Sequence, residues 1–249
     1  MPAEACVVIG ATGAIGQVIT KRLAARGFAV VAVARDRRAL DDLAAGNDRI
    51  TVCPVDIGSD EAVTVISDAI VFPVRMAVFA AGLPVRGSAD TMEPSALATA
   101  ANIKVGGVLR TLHAVRAHLA DGARFVAVAG SLGVEPGPLD AGPGTANAAL
   151  LNLMRQISAL YGPRGVTTHT IAPGPIDTPR LHAIVESEAA ETGQPAEEIW
   201  ERYRAKTTLG RLPTLDEVAW VVEMLLAPEA AVLHGGVLTA DGGVRRGII

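Results

Sequence analysis

Short runs of β-branched and small apolar residues recur along this chain without polar alternation inside them, at 6–9, 29–34, 50–54, 74–80, 123–129, 167–171 and 236–239. A strand that is apolar at successive positions must be covered on both faces. Helical patterns near 16–26, 39–45, 60–69, 94–119, 145–161 and 214–226 lie between the runs and supply that cover. Strands spaced by helices in this way predict an α/β fold, a doubly wound parallel sheet of Rossmann type. With 249 residues, half of them hydrophobic, and no linker, repeat or low-complexity tract, the chain reads as a single domain. Ligands of such sheets sit outside the carboxyl ends of the strands, so the residues just after each strand carry the functional information.

Charge and cysteine content narrow the classes further. A net charge of −4 with intermixed signs argues against a nucleic-acid or anionic-membrane partner, and the cluster Arg35, Arg37, Arg38 is too local to be a nucleic-acid footprint. Cys6 and Cys53 lie inside apolar runs and read as buried, inert thiols. The five histidines show no ligand spacing, so no metal site is expected. The start MPAEACVVIG has neither a basic region nor a cleavage site, and no apolar stretch reaches the ~20 residues of a membrane span. A soluble cytoplasmic protein acting on a small molecule is the expectation.

The first strand runs into VVIGATGAIGQVI, with Gly10, Gly13 and Gly16. Glycines there permit a tight turn and bring the next helix N-terminus against a pyrophosphate, whose charge the free N–H groups and dipole stabilise. Thr12 and Ile15 belong to the same cofactor-facing turn. The second strand ends VVAVARDRRAL; its tip is Ala34, followed by Arg35, a fork-shaped cation suited to a ribose 2′-phosphate. An NAD-specific protein would place a carboxylate at that tip. Asp36 follows one residue later and should point elsewhere. NADP(H) is therefore expected, the alternative being that Arg35 is an ordinary exposed charge.

From Cys6 to Gly243 the sequence resembles the short-chain dehydrogenase/reductase family. PVDIGSD looks like its adenine-contacting segment, with Asp56 and Ile57; VFAAGLP resembles its Asn-Asn-Ala-Gly motif, reduced here to Ala80, Ala81 and Gly82. IAPGPIDTP is similar to the segment beside the nicotinamide. The resemblance implies that Pro173 and Gly174 shape a turn, Ile176 approaches the ring and Thr178 meets the carboxamide. HGGVLTADGG is similar to the family's closing strand. The glycine spacing departs from the commonest form, Ala14 standing at its second glycine.

Catalysis in the family uses Ser, Tyr and Lys with a supporting Asn. Tyrosine gives a proton to the oxygen that becomes an alkoxide on hydride addition, its pKa lowered from ~10 by a neighbouring ammonium. Ser131 matches the serine, and the resemblance implies that it holds a substrate oxygen. At the lysine position stands Asn147, and at the tyrosine position Pro143, which offers no proton and no donor. NIKVGGVLR aligns Gly107 with a family glycine and so puts Lys104 at the Asn position. Lys and Asn are then exchanged between two helices, as in polyketide-synthase ketoreductases. A competing alignment keeps Asn102 as the family Asn, with Lys104 an exposed helix charge.

Replacements for the lost acid are few. Tyr161 lies fourteen residues past Asn147, roughly 21 Å along a helix. Tyr203 shares a helical face with Ile199 and Trp200 in the expected substrate-lid segment near 179–210, where packing is its simpler role. Asp140, His182, water or the substrate are the other candidates. Three readings stand: an NADP(H)-dependent oxidoreductase of a carbonyl, alcohol or enone; a dehydratase, cyclase or isomerase on the same scaffold; and an inactive NADP-binding sensor or partner subunit. Apolar positions on more than one face of 145–161 leave a surface for a second copy, and the resemblance implies a homodimer or homotetramer.

Overall fold

Each of the apolar runs forms a strand: β1 (Ala5–Ile9), β2 (Ala29–Ala34), β3 (Ile50–Pro54), β4 (Val74–Phe79), β5 (Leu119–Val128), β6 (Thr167–Pro173) and β7 (Val237–Ala240). In this computed structural model, which describes residues 3–82, 85 and 87–247, they make one parallel sheet in the order β3-β2-β1-β4-β5-β6-β7. The order reverses between β1 and β4, and the clefts of open parallel sheets open at such a reversal.

Alternation along the strands builds two cores from one sheet. Val7, Ile9, Val31, Val33, Phe79 and Phe125 face one side. Cys6, Val8, Val30, Ala32, Met76 and Val126 face the other. The first side is covered by α3 (Ala62–Asp68), α5 (Gly107–Val115) and α6 (Ala141–Tyr161), through Ile66, Leu112, Leu150, Met154 and Ile157. The second is covered by α1 (Ala14–Ala25), α2 (Arg37–Ala44) and α9 (Leu215–Met224), through Ile19, Leu23, Leu40, Val218 and Val222. Each such side chain, fully buried, contributes about 1.5–3 kcal/mol. The single-domain Rossmann-type sheet expected from the sequence is the observed fold. Cys6 and Cys53 lie in opposite cores as free thiols, and burial raises both pKa values, that of Cys53 to about 11.

Three elements differ from the sequence expectation. The helix expected over 94–119 is α4 (Pro94–Ala101), a wide π turn at Asn102–Gly106, and α5, which stops early because β5 begins at Leu119. The helix expected from 145 starts at Ala141: Pro143 is tolerated in a first turn, where its missing N–H would have had no intrahelical partner. The segment 179–210, expected as a lid, forms α7 (Pro179–Thr192) and α8 (Ala196–Ala205), whose own small core is Leu181, Val185 and Ile199, with Trp200, Tyr203 and Leu212 against it. No helix among the described residues is long and apolar enough to cross a membrane.

Candidate active site

The turn after β1 is locked from two sides. Gly10 adopts φ +80°, a conformation costly for a residue with a Cβ. Its N–H and that of Ala11 both donate to the Val33 carbonyl, at 2.8 and 3.0 Å. A Cβ on Gly10 would lie 2.8 Å from the Ala81 nitrogen, and one on Gly16 only 2.1 Å from the Gly10 oxygen. α1 therefore presses directly onto the turn. It starts after Gly13 with no side-chain cap and no acidic residue in its first turn. Free N–H groups and the positive end of the dipole are left pointing into the cleft. Thr12 is half-buried there, its carbonyl accepting from Gln17, and Ile15 packs toward the α1 core.

At the tip of β2 the two candidate cofactor selectors behave differently. Asp36 caps α2, its Oδ1 accepting from the Ala39 N–H at 3.1 Å. Arg35 is exposed and has no ion-pair partner among the described residues. After β3, Asp56 Oδ1 accepts from the Gly58 N–H at 2.9 Å, and buried Ile57 gives its carbonyl to Arg110.

Ala80, Ala81 and Gly82 leave β4 beside the glycine turn, with the Ala80 N–H donating to Ile9. Leu83 and Pro84, which complete that motif, lie outside the described residues. The π turn decides what faces this segment. Lys104, at its centre, donates from Nζ to the Val128 carbonyl at 3.0 Å, and a Cβ on Gly82 would meet its Cε at 3.4 Å. Asn102 points elsewhere: Nδ2 donates to the Gly58 carbonyl and Oδ1 accepts from Arg110, both at 2.9 Å. Gly107 makes this placement possible, since a Cβ there would come within 2.9 Å of the Phe79 ring. A π turn adds a residue to one helical turn and re-aims its side chains, a device frequent at functional sites. Burial lowers the Lys104 pKa to about 8, with repulsion from Arg180 as the second cause.

Ser131 opens a short 3-10 turn beyond β5, Ser131–Gly133, and its hydroxyl has no partner among the described residues. Glycines flank it for a reason. A Cβ on Gly130 would lie 3.0 Å from Asn147 Nδ2, and one on Gly133 2.9 Å from Asn147 Cβ. Asn147 is thus wedged against the serine turn. It is 6% exposed, and its Oδ1 is a buried acceptor with no hydrogen bond. An acceptor left so costs about 1–3 kcal/mol unless a ligand supplies the donor. Pro143 stands third in α6, half-buried.

The last wall comes from β6 and α7. Pro173 ends β6, and a Cβ on Gly174 would strike Asp241 at 2.9 Å. Ile176 is buried. Thr178 caps α7, Oγ1 accepting from the Leu181 N–H at 3.2 Å. A hydroxyl that accepts still has its proton for a second partner. The substitute acids are otherwise engaged. His182 binds Asp177 at 2.7 Å and stacks edge-on to Trp200, and Asp140 holds the Gly137 N–H. Tyr203 packs against the small α7–α8 core, under Lys206. Tyr161 is buried at the far end of α6 under Arg164.

Sequence reasoning passed over Arg180. Second in α7, it is exposed, though partial desolvation lowers its pKa, and it makes no ion pair or hydrogen bond among the described residues. A cation in a helix's first turn works against the dipole by about 0.3–1 kcal/mol. Thr-Pro-Arg at a helix start was the signal available.

A sequence model of the family described as Enoyl-(Acyl carrier protein) reductase matches residues 10–245. The chain is 28% identical over 245 residues to the short-chain reductase protein NovJ of Streptomyces niveus, spanning 95% of this chain and 92% of that protein. It is 36% identical over 123 residues to protein MoaE of Klebsiella aerogenes, a match spanning 48% of this chain and 46% of that one. The L-sorbose reductase of Gluconobacter frateurii, solved with NADPH and L-sorbose, superposes with a TM-score of 0.92 at 18% identity, covering 99% of this chain and 98% of that one.

Proposed function

The chain belongs to the short-chain dehydrogenase/reductase family, a family of oxidoreductases, and we propose that it is an NADP(H)-dependent enzyme that reduces a carbonyl or enone, or oxidises the matching alcohol. What supports this reading is the Lys104 ammonium, bound to the Val128 carbonyl three residues before Ser131, and the buried Asn147 Oδ1, packed behind Gly130 and Gly133 with no hydrogen bond among the described residues.

The residues fit a dinucleotide on three observations. The uncapped N-terminus of α1 lies behind a turn that admits no side chain at Gly10 or Gly16, which suits a pyrophosphate. Arg35 is free for a 2′-phosphate, while the neighbouring carboxylate of Asp36 is committed to its cap. The Asn147 Oδ1 would accept from a ribose hydroxyl, and Lys104 would donate to one. Asp56 and Ile57 would border the adenine, with Ala80, Ala81 and Gly82 along the ribose; Pro173, Gly174, Ile176 and Thr178 would enclose the nicotinamide. Bound NADPH supplies a hydride.

The remaining work falls to this chain's own groups. Ser131 donates a hydrogen bond to the substrate oxygen. Lys104 stabilises the negative charge that develops there and provides the proton that tyrosine gives in relatives. Its lowered pKa, about 8, suits proton transfer near neutral pH. The helices α7 and α8 close over the substrate and exclude water, and the exposed face of α6 bearing Leu160 joins copies into a homodimer or homotetramer. Pro143 at the tyrosine position favours a second reading, a non-redox enzyme that retains the cofactor.

Deuterium transfer separates the two. Wild-type protein is incubated with 4-deuterated NADPH and a panel of ketones, quinones and enones, with cofactor binding followed by fluorescence. Label in a product supports the oxidoreductase. Bound cofactor with no label in any product refutes it and leaves the non-redox reading.

A further inference from the structure

The turn that carries Lys104 sits between two helical registers. The Gly107 N–H is shared by the carbonyls of Asn102 and Ile103, five and four residues back. The first bond makes a π turn and the second an α turn. Backbone bonding alone therefore does not select the wide register, which is the rarer of the two. The choice falls to a side chain.

Arg110 supplies the tie. Its Nη1 donates to the Asn102 carbonyl at 3.3 Å, and Nη2 donates to Asn102 Oδ1 at 2.9 Å. Nη1 also donates to the Ile57 carbonyl at 3.2 Å, and Nε to Asp60 Oδ1 at 2.6 Å. One guanidinium thus binds the first residue of the turn to the loop after β3. Asn102 Nδ2 closes the same link through the Gly58 carbonyl, at 2.9 Å. Glycine leaves room for this arrangement, since a Cβ on Gly106 would lie 2.8 Å from Arg110 Nη1 and 3.0 Å from Asn102 Oδ1. The Asp60 side chain stands 91% exposed, and an ion pair in such a place adds little stability. What the network fixes is position.

We propose that Arg110 is a positioning residue of the site: its fork holds Asn102 in the wide register, and that register delivers the Lys104 ammonium to Val128 and Gly82. The consequence for turnover rests on the reading of Lys104 as proton donor, whereas the placement rests on the bonds of Arg110. Closing the turn to the α register would swing Lys104 by up to about 100° around the helix axis, off the Val128 carbonyl. The ammonium would leave the burial that depresses its pKa to about 8. Only a planar fork reaches Asp60, Ile57 and both oxygens of Asn102 together; an ammonium at position 110 would act as a point donor.

The chain has three lysines, Lys21, Lys104 and Lys206, so lysine isotope-labelled at Cε gives three NMR signals, and Lys104→Met identifies the one that matters. That signal is followed against pH in the free protein, with circular dichroism melts to check folding. In wild type its midpoint is expected near pH 8. In Arg110→Met it is expected about one unit or more higher, toward the ordinary lysine value of about 10.4. Arg110→Lys keeps the charge without the fork and is expected to follow Arg110→Met. Asn102→Ala, a neutral change at an exposed position, is expected to move the midpoint the same way. In the deuterium-transfer assay kcat is expected to fall about a hundredfold in Arg110→Met, the usual worth of a positioned general acid. An unmoved Lys104 midpoint in folded Arg110→Met overturns the proposal. So does a wild-type midpoint in Arg110→Lys, which makes charge the agent instead of the fork. If Arg110→Met does not fold, Asn102→Ala decides by the same criterion. Shifted midpoints with no deuterium transfer even in wild type would leave the positioning role standing and defeat only the redox reading. Shifted midpoints with full kcat would likewise leave it standing and defeat Lys104 as the proton donor.

Discussion

Gly16→Ala tests whether the packing of α1 on the glycine turn controls both stability and cofactor binding. The added methyl would lie 2.1 Å from the Gly10 carbonyl oxygen, 2.9 Å from its carbon and 3.0 Å from Ala11 Cα. All three are backbone atoms of a turn fixed by hydrogen bonds to Val33, so no flexible side chain can give way. Relieving the contact requires the helix to retreat by about 1 Å or more. Overpacking of this kind costs about 3 kcal/mol at its upper end, and better helix propensity returns about 1 kcal/mol. A net loss of about 2 kcal/mol lowers the melting temperature by roughly 4–8 °C in a chain of this size. Gly13→Ala is the internal control, because its methyl would meet only the Gly10 oxygen, at 3.3 Å. Thermal melts followed by circular dichroism, with NADPH titrations by fluorescence, read both effects. Affinity is expected to fall about tenfold or more in Gly16→Ala, as for loss of a charge-assisted bond. Equal melting temperatures and equal NADPH affinity for wild type and Gly16→Ala would show that the turn and helix are not locked by this contact.

The remaining predictions concern the cleft. Lys104 is a base whose pKa burial depresses to about 8, so its ammonium is present below that pH and lost as pH rises through it. The reduction rate should therefore fall above about pH 8, and Lys104→Met should be slow with a flat profile there. The unfolded lysine keeps its proton to higher pH, so the stability penalty of this buried charge is full below about pH 8 and relieved above it. Lys104→Met should accordingly melt higher than wild type at pH 7, as scanning calorimetry would read. Asn147→Ala removes a buried acceptor that has no protein partner, so urea denaturation should show a change within about 1 kcal/mol while NADPH affinity drops. Arg35→Ala should leave the melting temperature unchanged, since no described residue pairs with it, and should reduce the preference for NADPH over NADH by roughly ten- to a hundredfold in competition titrations.

The sequence by itself determined the sheet, because uninterrupted apolar runs admit only burial on both faces, and it determined the glycine turn, because a strand-to-helix turn this tight excludes side chains. It also carried a resemblance that implies roles for Ser131 and Asn147 and a missing tyrosine at Pro143. The register that sends Val7 and Ile9 to one core and Cys6 and Val8 to the other follows from the same period of two. Where Lys104 points was not legible. One-dimensional spacing left Lys104 and Asn102 both open, and it was the π turn that faced Lys104 to Val128 and Asn102 to Gly58. A π turn has no sequence signature of its own, since it arises where Gly106 and Gly107 let the helix bend against Phe79 and Arg110. The place of Glu135 was hidden for a related reason. Glu135 accepts from the N–H groups of Arg246 and Gly247, 111 and 112 residues further on, a pairing decided only when distant segments converge. Local pattern fixes which residues can form an element; the balance of charge in a cleft is a sum over elements, and only the tertiary structure performs it.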